Sequence, residues 1–84
     1  MPYCVYILQS EFDNSFYIGS TRDVDERLER HNAGRSRYTR AKRPWKLVYK
    51  EDCPDRSSAI KRESEIKNKK KRAVIESLVR TSRP

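Results

Sequence analysis

The chain has 84 residues, and its 20 Lys and Arg against 12 Asp and Glu give a formal net charge of +8. We expect one small domain with no room for a second core, because a chain of this length buries only about 60–65% of its unfolded surface. The positive charge predicts a polyanionic partner, and nucleic acid is a better candidate than a basic surface that only aids solubility.

Other classes of protein are disfavoured by what the sequence lacks. It has no apolar run close to the roughly 20 residues that a membrane span needs, and its start lacks the pattern of a signal peptide. The two cysteines, Cys4 and Cys53, do not form a close C-x-x-C pair, so neither a zinc site nor a disulfide framework is indicated. We therefore expect a cytoplasmic protein that does not enter a membrane.

The first predicted elements are two strands of a hairpin. Residues 3–9 are β-branched and aromatic, and residues 16–20 have the pattern of a returning strand, with a polar turn between them. If the loop has an even number of residues and no bulge, Tyr6 and Tyr17 can face each other directly and point to the same side of the sheet. The sequence therefore predicts two phenols on one face.

A helix follows the hairpin. Its start has a capping-box pattern, with Asp23 at the cap and Glu26 three residues later. Gly34 suits the left-handed position after a helix, so we expect the helix to stop there. Arg27 and His31 are four residues apart and should lie on one face.

Each of these two side chains also has a purely structural explanation. Arg27 can form a helix salt bridge with Asp23, worth a few tenths of a kcal/mol. His31 can be an exposed polar residue near a helix C-terminus, where positive charge is mildly favoured. Taken singly these explanations are the better ones, but the two residues together, after a pair of tyrosines, favour an active site.

The segment from residue 34 to residue 44 is strongly basic and contains no acid. Cations around an aromatic residue suit contact with phosphates and with a stacked base, and the alternative is a disordered charged loop. A second basic block occupies residues 67–72. We assign to nucleic-acid binding Arg35, Arg37, Tyr38, Arg40, Lys42 and Arg43 in the first segment and Lys69, Lys70 and Lys71 in the second.

The rest of the chain predicts one strand and two helices. Residues 45–51 alternate apolar and polar, which places Trp45, Leu47 and Tyr49 on one side of a third strand. A turn at residues 52–55 precedes the second helix, and the basic block separates it from a last amphipathic helix. The predicted order is strand, strand, helix, strand, helix, helix.

One acid interrupts the apolar stripe of the second predicted helix. Ala59, Glu63 and Ile66 share a face by the i, i+4, i+7 rule, whereas Glu65 points elsewhere. A buried or half-buried carboxylate needs an arginine, a metal or a raised pKa. The spacing therefore leaves two equal explanations for Glu63, a structural ion pair and a metal ligand.

These side chains have the chemistry that phosphodiester hydrolysis requires, namely a base for the water, a cation at the phosphate and help for the leaving oxygen. Arg27 offers a fixed charge and forked donors, and His31 can take or relay a proton near neutral pH. Glu63 is the single candidate ligand for Mg²⁺ or Mn²⁺, which such a site holds together with waters and substrate phosphates.

The ordered set of motifs resembles the GIY-YIG nuclease superfamily, and within it the small members that consist of little more than this module. Cys4-Val5-Tyr6 stands where the family name has Gly-Ile-Tyr, and Tyr17-Ile18-Gly19 matches the second motif letter for letter. The resemblance implies an α+β fold, a three-stranded antiparallel sheet flanked by about three helices in the order β-β-α-β-α-α. It also implies a single domain over residues 1–84 with its core at about 3–79.

Position by position, the resemblance implies five catalytic residues and one divalent ion, Mg²⁺ or Mn²⁺. Tyr6 or Tyr17 activates the water with help from His31, Arg27 stabilises the phosphate, and Glu63 binds the metal.

The resemblance also implies a role for Gly19, which would keep the second strand open to the DNA backbone. The implied function is a metal-dependent endonuclease that acts on DNA rather than RNA in repair or recombination. It would be a monomer or weak dimer of low intrinsic sequence specificity, with further specificity supplied by a protein partner. The alternatives are a non-catalytic nucleic-acid-binding module that retains the site as a phosphate contact, and a small basic protein bound to a ribosome or repair complex.

Overall fold

The computed structural model describes residues 2–68 and 72–81. The strands β1 (Tyr3–Ser10), β2 (Phe16–Thr21) and β3 (Trp45–Cys53) form one antiparallel sheet with β1 in the centre, in the order β2-β1-β3. This arrangement confirms the predicted α+β fold and its β-β-α-β-α-α order. The helices are α1 (Val24–Asn32), a short 3₁₀ helix (Arg40–Lys42), α2 (Arg56–Asn68) and α3 (Arg72–Thr81).

The structure leaves part of one sequence prediction untested, and it bears on a second that concerns membrane spans. Lys69, Lys70 and Lys71, which the sequence assigns to nucleic-acid binding, lie outside the described residues. Among the described residues, every helix is too short or too polar to cross a lipid bilayer.

The central strand supplies both halves of the core, because its side chains alternate between the two faces of the sheet. Val5 and Ile7 pack in a cluster with residues of α2 and α3. Tyr6 and Leu8 pack in a second cluster with residues of α1. Helix α1 therefore covers one face of the sheet, and α2 and α3 cover the other.

The hairpin of β1 and β2 places the two motif tyrosines on one face, as predicted, but not directly opposite each other. Tyr6 pairs with Gly19, and Tyr17 pairs with Leu8. The predicted direct pairing of the tyrosines is therefore wrong by two residues. Their rings lie diagonally, with centroids 6.4 Å apart.

The turn explains this offset. The hydroxyl of Ser10 accepts hydrogen bonds from the backbone N–H groups of Phe12 and Asp13, at 3.0 and 3.2 Å. The Ser10 N–H donates to the Ser15 carbonyl at 2.8 Å. These bonds fix a wide turn that closes on Ser10 and Ser15, so the strands pair two positions further along than a tighter turn would allow.

Helix α1 begins and ends where its local signals predict. The carboxylate of Asp23 accepts a hydrogen bond from the Glu26 N–H at 3.1 Å, which is the expected cap. Gly34 has a φ of 78° just beyond the end of the helix, a conformation that glycine adopts without strain.

Strand β3 carries a bulge that the sequence pattern does not predict. Leu47 and Tyr49 pair with successive residues of β1, which leaves Val48 as the extra residue. The prediction that Trp45, Leu47 and Tyr49 share one side is therefore wrong at Tyr49. Trp45 and Leu47 pack on the α1 face, whereas Tyr49 packs on the α2 face.

Candidate active site

Tyr6 lies under the backbone of the edge strand β2, where only a glycine leaves it room. Its side chain is 1% exposed. A Cβ built at Gly19 would lie 2.6 Å from Tyr6 Oη and 2.8 Å from Cζ, which is far closer than a van der Waals contact. The structure thus gives Gly19 a packing role, and its contact with the DNA backbone stays a prediction.

A chain of buried hydrogen bonds connects this phenol to the basic segment. Tyr6 Oη lies 3.3 Å from His31 Nε2, and His31 Nδ1 lies 2.7 Å from Thr39 Oγ1. His31 and Thr39 are 2% and 1% exposed. The Trp45 indole N–H donates to the Thr39 carbonyl at 2.8 Å, which fixes Thr39 in turn. His31 is therefore not the exposed helix-end residue of the structural alternative.

Thr39 is one residue of the site that the sequence does not predict. Its hydroxyl orients the imidazole of His31 across a separation of eight residues, and such an outer partner fixes which ring nitrogen carries the proton. No spacing rule connects a loop threonine to a helical histidine. Only the packing of the loop against α1 identifies it.

Burial determines the protonation states of Tyr6 and His31. Burial raises the pKa of Tyr6 above its usual 10. The nearby Tyr17 and Glu63 raise this pKa further, and the positive charge of Arg27 lowers it. Burial also lowers the pKa of His31 below 6.5, and the nearby cations Arg27 and Arg30 lower it further. At neutral pH the site therefore holds a protonated phenol beside a neutral imidazole that can accept a proton.

Tyr17 is the more accessible of the two phenols. It is half-buried, and its ring centroid lies 4.8 Å from that of His31. Tyr17, Arg27 and His31 line one surface cleft of about 400 Å³. Water and a phosphate can reach Tyr17 from this cleft, whereas Tyr6 lies beneath it.

Arg27 also lines the cleft, and its charge is poorly paired. Its Nε is buried and has no hydrogen-bond partner in the described part of the chain. The nearest carboxylate contact of that atom is a long one, 3.9 Å to Glu26 Oε2. The carboxylate of Asp23 caps the helix, and the described ion pairs of Arg27 do not include Asp23, the partner that the structural alternative required. A guanidinium whose Nε–H lacks an acceptor can donate hydrogen bonds to an anion that enters the cleft.

Glu63 approaches from the other face of the sheet. Ser20 Oγ donates to its Oε1 at 2.8 Å, and Lys67 Nζ lies 2.6 Å from its Oε2. The side chain is 20% exposed. The partner in the observed ion pair is thus a lysine one turn along the helix rather than an arginine.

The chain offers few protein ligands for a metal ion at this place. Among residues 2–68 and 72–81 no group of three or more His, Cys, Asp or Glu side chains could hold one. The two oxygens of Glu63 each accept one hydrogen bond, and a carboxylate has about four lone-pair positions. The site therefore fits a single Mg²⁺ or Mn²⁺ only if waters and substrate phosphates complete its coordination.

The five predicted catalytic residues are distributed around β2. Strand β2 lies at the edge of the sheet, so α1 on one face and α2 on the other can both reach it. The charges on Arg27 and Glu63 both act on the pKa of Tyr6. The structure brings Tyr6, Tyr17 and His31 into contact, places Arg27 in the same cleft and directs Glu63 toward β2 from the opposite side.

The basic segment before β3 is exposed but anchored to the domain. Thr39 ties it to His31 and Trp45, and Lys42 Nζ lies 3.2 Å from an oxygen of Asp13. All six residues that the sequence assigns to nucleic-acid binding here are exposed: Arg35, Arg37, Tyr38, Arg40, Lys42 and Arg43.

Comparison with known proteins gives one consistent family. Residues 2–76 match the GIY-YIG catalytic domain, a span that includes all five predicted catalytic positions. UPF0213 proteins of Staphylococcus aureus strains Mu3 and COL are each 47% identical over 64 residues, which cover 75% of this chain and 77% of theirs. The UPF0213 protein of Bacillus halodurans, solved by solution NMR, is 37% identical with a TM-score of 0.62. That match covers 98% of this chain and 86% of the other.

Proposed function

Because this chain belongs to the GIY-YIG family, whose catalytic domain is a nuclease domain, we propose that it is an endonuclease that depends on Mg²⁺ or Mn²⁺. We propose further that it hydrolyses phosphodiester bonds in DNA with low intrinsic sequence specificity. The observation that carries the proposal is the poorly paired guanidinium of Arg27, which lines one cleft with Tyr17 and His31. A phosphate in that cleft would supply the acceptors that the described residues do not.

The roles that we propose for the two tyrosines are based on their accessibility. Tyr17 meets the cleft, so it activates the water, and His31 assists because its ring lies against that of Tyr17 and is neutral at pH 7. Tyr6 is buried and contacts His31 Nε2, so it positions the imidazole from below. Arg27 binds the phosphoryl oxygens and stabilises the charge that develops on them.

Glu63 is the residue that would hold the divalent ion. The ion, when bound, stabilises the charge on the phosphate and the leaving oxygen and lowers the pKa of a bound water. Ser20 orients the carboxylate through its 2.8 Å hydrogen bond. Lys67, now paired with the other oxygen, is exposed and can move to a substrate phosphate.

One observation favours a second candidate, a nucleic-acid-binding module without catalysis. The carboxylate of Glu63 already has a cationic partner in Lys67 and a hydrogen bond from Ser20, which gives it a structural explanation. Such a module would bind through its exposed cations, with or without a metal.

The substitution Glu63→Gln distinguishes the two, with Glu65→Gln as a matched control on the same helix. Glu65 is exposed and its ion pair, 3.6 Å to Arg62, lies away from the site. The assay compares cleavage of duplex DNA, single-stranded DNA and RNA in Mg²⁺, Mn²⁺ or EDTA. We expect Glu63→Gln to lose metal-dependent cleavage by several orders of magnitude, while Glu65→Gln cleaves like the wild type.

Binding and folding measurements complete the test. Glu63→Gln should bind DNA at least as tightly, because one negative charge near the phosphates is removed, and should melt as the wild type does. If Glu63→Gln unfolds the protein, Glu63 is a structural residue. If the wild type cleaves no substrate in any metal, the binding module is the correct function.

A further inference from the structure

A second groove adjoins the cleft that contains Arg27. It lies between β2 and the basic segment and has a volume of about 780 Å³, within the usual range for ligand sites. Tyr17 and Ser36 line both the groove and the cleft. A nucleic-acid strand whose phosphate lies at Arg27 can therefore continue into the groove.

The lining of this groove combines aromatic rings with cations. Phe16 and Trp45 contribute apolar surface, and the ring of Tyr38 stands 90% exposed at the groove. Arg37 and Lys42 line the same groove. Lys42 is paired with Asp13 at 3.2 Å, and a phosphate can replace the carboxylate in such an exposed pair. Exposed aromatic rings in a positively charged groove are the means by which proteins hold single strands, with bases stacked on the rings and phosphates paired with the cations.

Base pairing decides which nucleic acid can use such a ring. Inside a duplex both faces of a base are covered by its neighbours, so a protein ring stacks only on a base that has left the helix. A duplex that lies across the protein needs only phosphate contacts. In that mode the hydroxyl of an exposed tyrosine can still contact a phosphate, but its ring has no base on which to stack.

We propose that this groove binds an unpaired nucleotide next to the bond that is cut, with the base stacked on Tyr38 and the adjacent phosphates paired with Arg37 and Lys42. The substrate class is therefore DNA with an unpaired segment at the site of cleavage, as in a single strand or a flap. This inference rests on the proposed function and adds to it the form of the substrate.

Binding in EDTA tests the groove without cleavage. The probes are a fluorescein-labelled oligo-dT of 12 nucleotides and a blunt duplex of 12 base pairs, measured by anisotropy. The variants are Tyr38→Ala, Tyr38→Phe, which keeps the ring, and Phe12→Ala. Phe12 is 72% exposed but does not line the groove, so its removal is a matched control. Tyr38 is on the surface, and we expect all three variants to fold.

We expect Tyr38→Ala to weaken binding of the single strand by about 5- to 150-fold, the equivalent of about 1–3 kcal/mol for one stacked base. Tyr38→Phe and Phe12→Ala should bind it within about twofold of the wild type, and the duplex should not distinguish the variants. An oligo-U RNA strand that responds like oligo-dT also supports the stacking role, because a stacked ring does not read the sugar.

Two outcomes overturn the inference. One is an equal effect of Tyr38→Ala on single strand and duplex, and the other is no effect on either. Neither depends on catalysis, so the nuclease and the groove can fail separately. If the protein cleaves DNA but Tyr38→Ala has no effect on binding, the proposed nuclease function stands and the role of the groove is refuted. If Tyr38→Ala weakens single-strand binding but the protein never cleaves, the role of the groove stands and the nuclease function is refuted.

Discussion

The close approach of Tyr6 to Gly19 makes Gly19→Ala a direct test of how the site is packed. The new Cβ would lie 2.6 Å from Oη and 2.8 Å from Cζ, so the ring must retreat by about 1 Å to reach an ordinary contact distance. Overpacking of a buried site costs about 1–3 kcal/mol. For a domain of this size each kcal/mol lowers the melting temperature by about 4–8 °C, and the expected decrease is about 4–24 °C.

The same displacement should reduce catalysis separately from stability. Moving Tyr6 Oη away from His31 Nε2 breaks a contact that is 3.3 Å long. Misplacement of a catalytic group by about 1 Å can lower the rate by about 100-fold. We therefore expect Gly19→Ala to cleave DNA about 100-fold more slowly per folded molecule, with little change in DNA affinity.

The other glycine of the chain supplies a matched control. Gly34 has a φ of 78°, so Gly34→Ala should cost about 1–2 kcal/mol through backbone strain. Its Cβ would meet Arg43 Nη1 at 2.7 Å, the end of an exposed side chain that can move. Gly34→Ala should therefore lose stability but keep the cleavage rate of the folded protein.

Thermal melts and single-turnover cleavage assays of Gly19→Ala and Gly34→Ala test whether the packing of Tyr6 against Gly19 affects catalysis separately from stability. If Gly19→Ala melts and cleaves like the wild type, Tyr6 is not held against β2 as the structure describes. If Gly34→Ala loses as much activity per folded molecule as Gly19→Ala, the loss is not specific to the contact between Tyr6 and Gly19 and the packing argument fails.

Two further predictions concern the charged and titrating groups of the cleft. Arg27→Lys keeps the charge but loses the planar fork, so it should cleave slowly while binding DNA nearly as well, and equal cleavage would make Arg27 an ordinary surface cation. The pKa of His31 is lowered in the folded state, so its contribution to stability is present above pH 6.5. That contribution is lost as the pH falls through the lowered pKa, at up to about 1.4 kcal/mol per pH unit. Melts between pH 7.5 and 5 should show this loss, and a His31→Gln variant without a shallower slope would contradict it.

Local signals predicted much of the fold because they act within a few residues. The cap at Asp23 and the stop at Gly34 depend on short-range hydrogen bonding and on one dihedral angle. The register of the hairpin could not be predicted in this way. A shift of two residues keeps every side chain on its own face, so the hydrophobic pattern does not distinguish the pairing of Tyr6 with Tyr17 from its pairing with Gly19.

The parts of the site that sequence reasoning missed depend on contacts between distant elements. Thr39 reaches His31 only because the loop folds back on α1, and Ser20 reaches Glu63 across 43 residues. The bulge at Val48 changes the side to which Tyr49 points, and alternation of polar and apolar residues predicts no such interruption. Residue types and spacing were enough to predict which side chains are reactive, whereas their hydrogen-bond partners could be identified only from the tertiary structure.

The burial of Tyr6 affects how related sequences should be interpreted. Tyr6 and His31 are almost fully enclosed, so replacing either one damages the core as well as the chemistry. A relative that had lost its activity would still be selected to keep both. With the described residues Arg27 makes one long ionic contact, so little besides the reaction holds it in place. Among the motif residues, the presence of this arginine therefore distinguishes working enzymes from inactive descendants better than the presence of Tyr6 or His31.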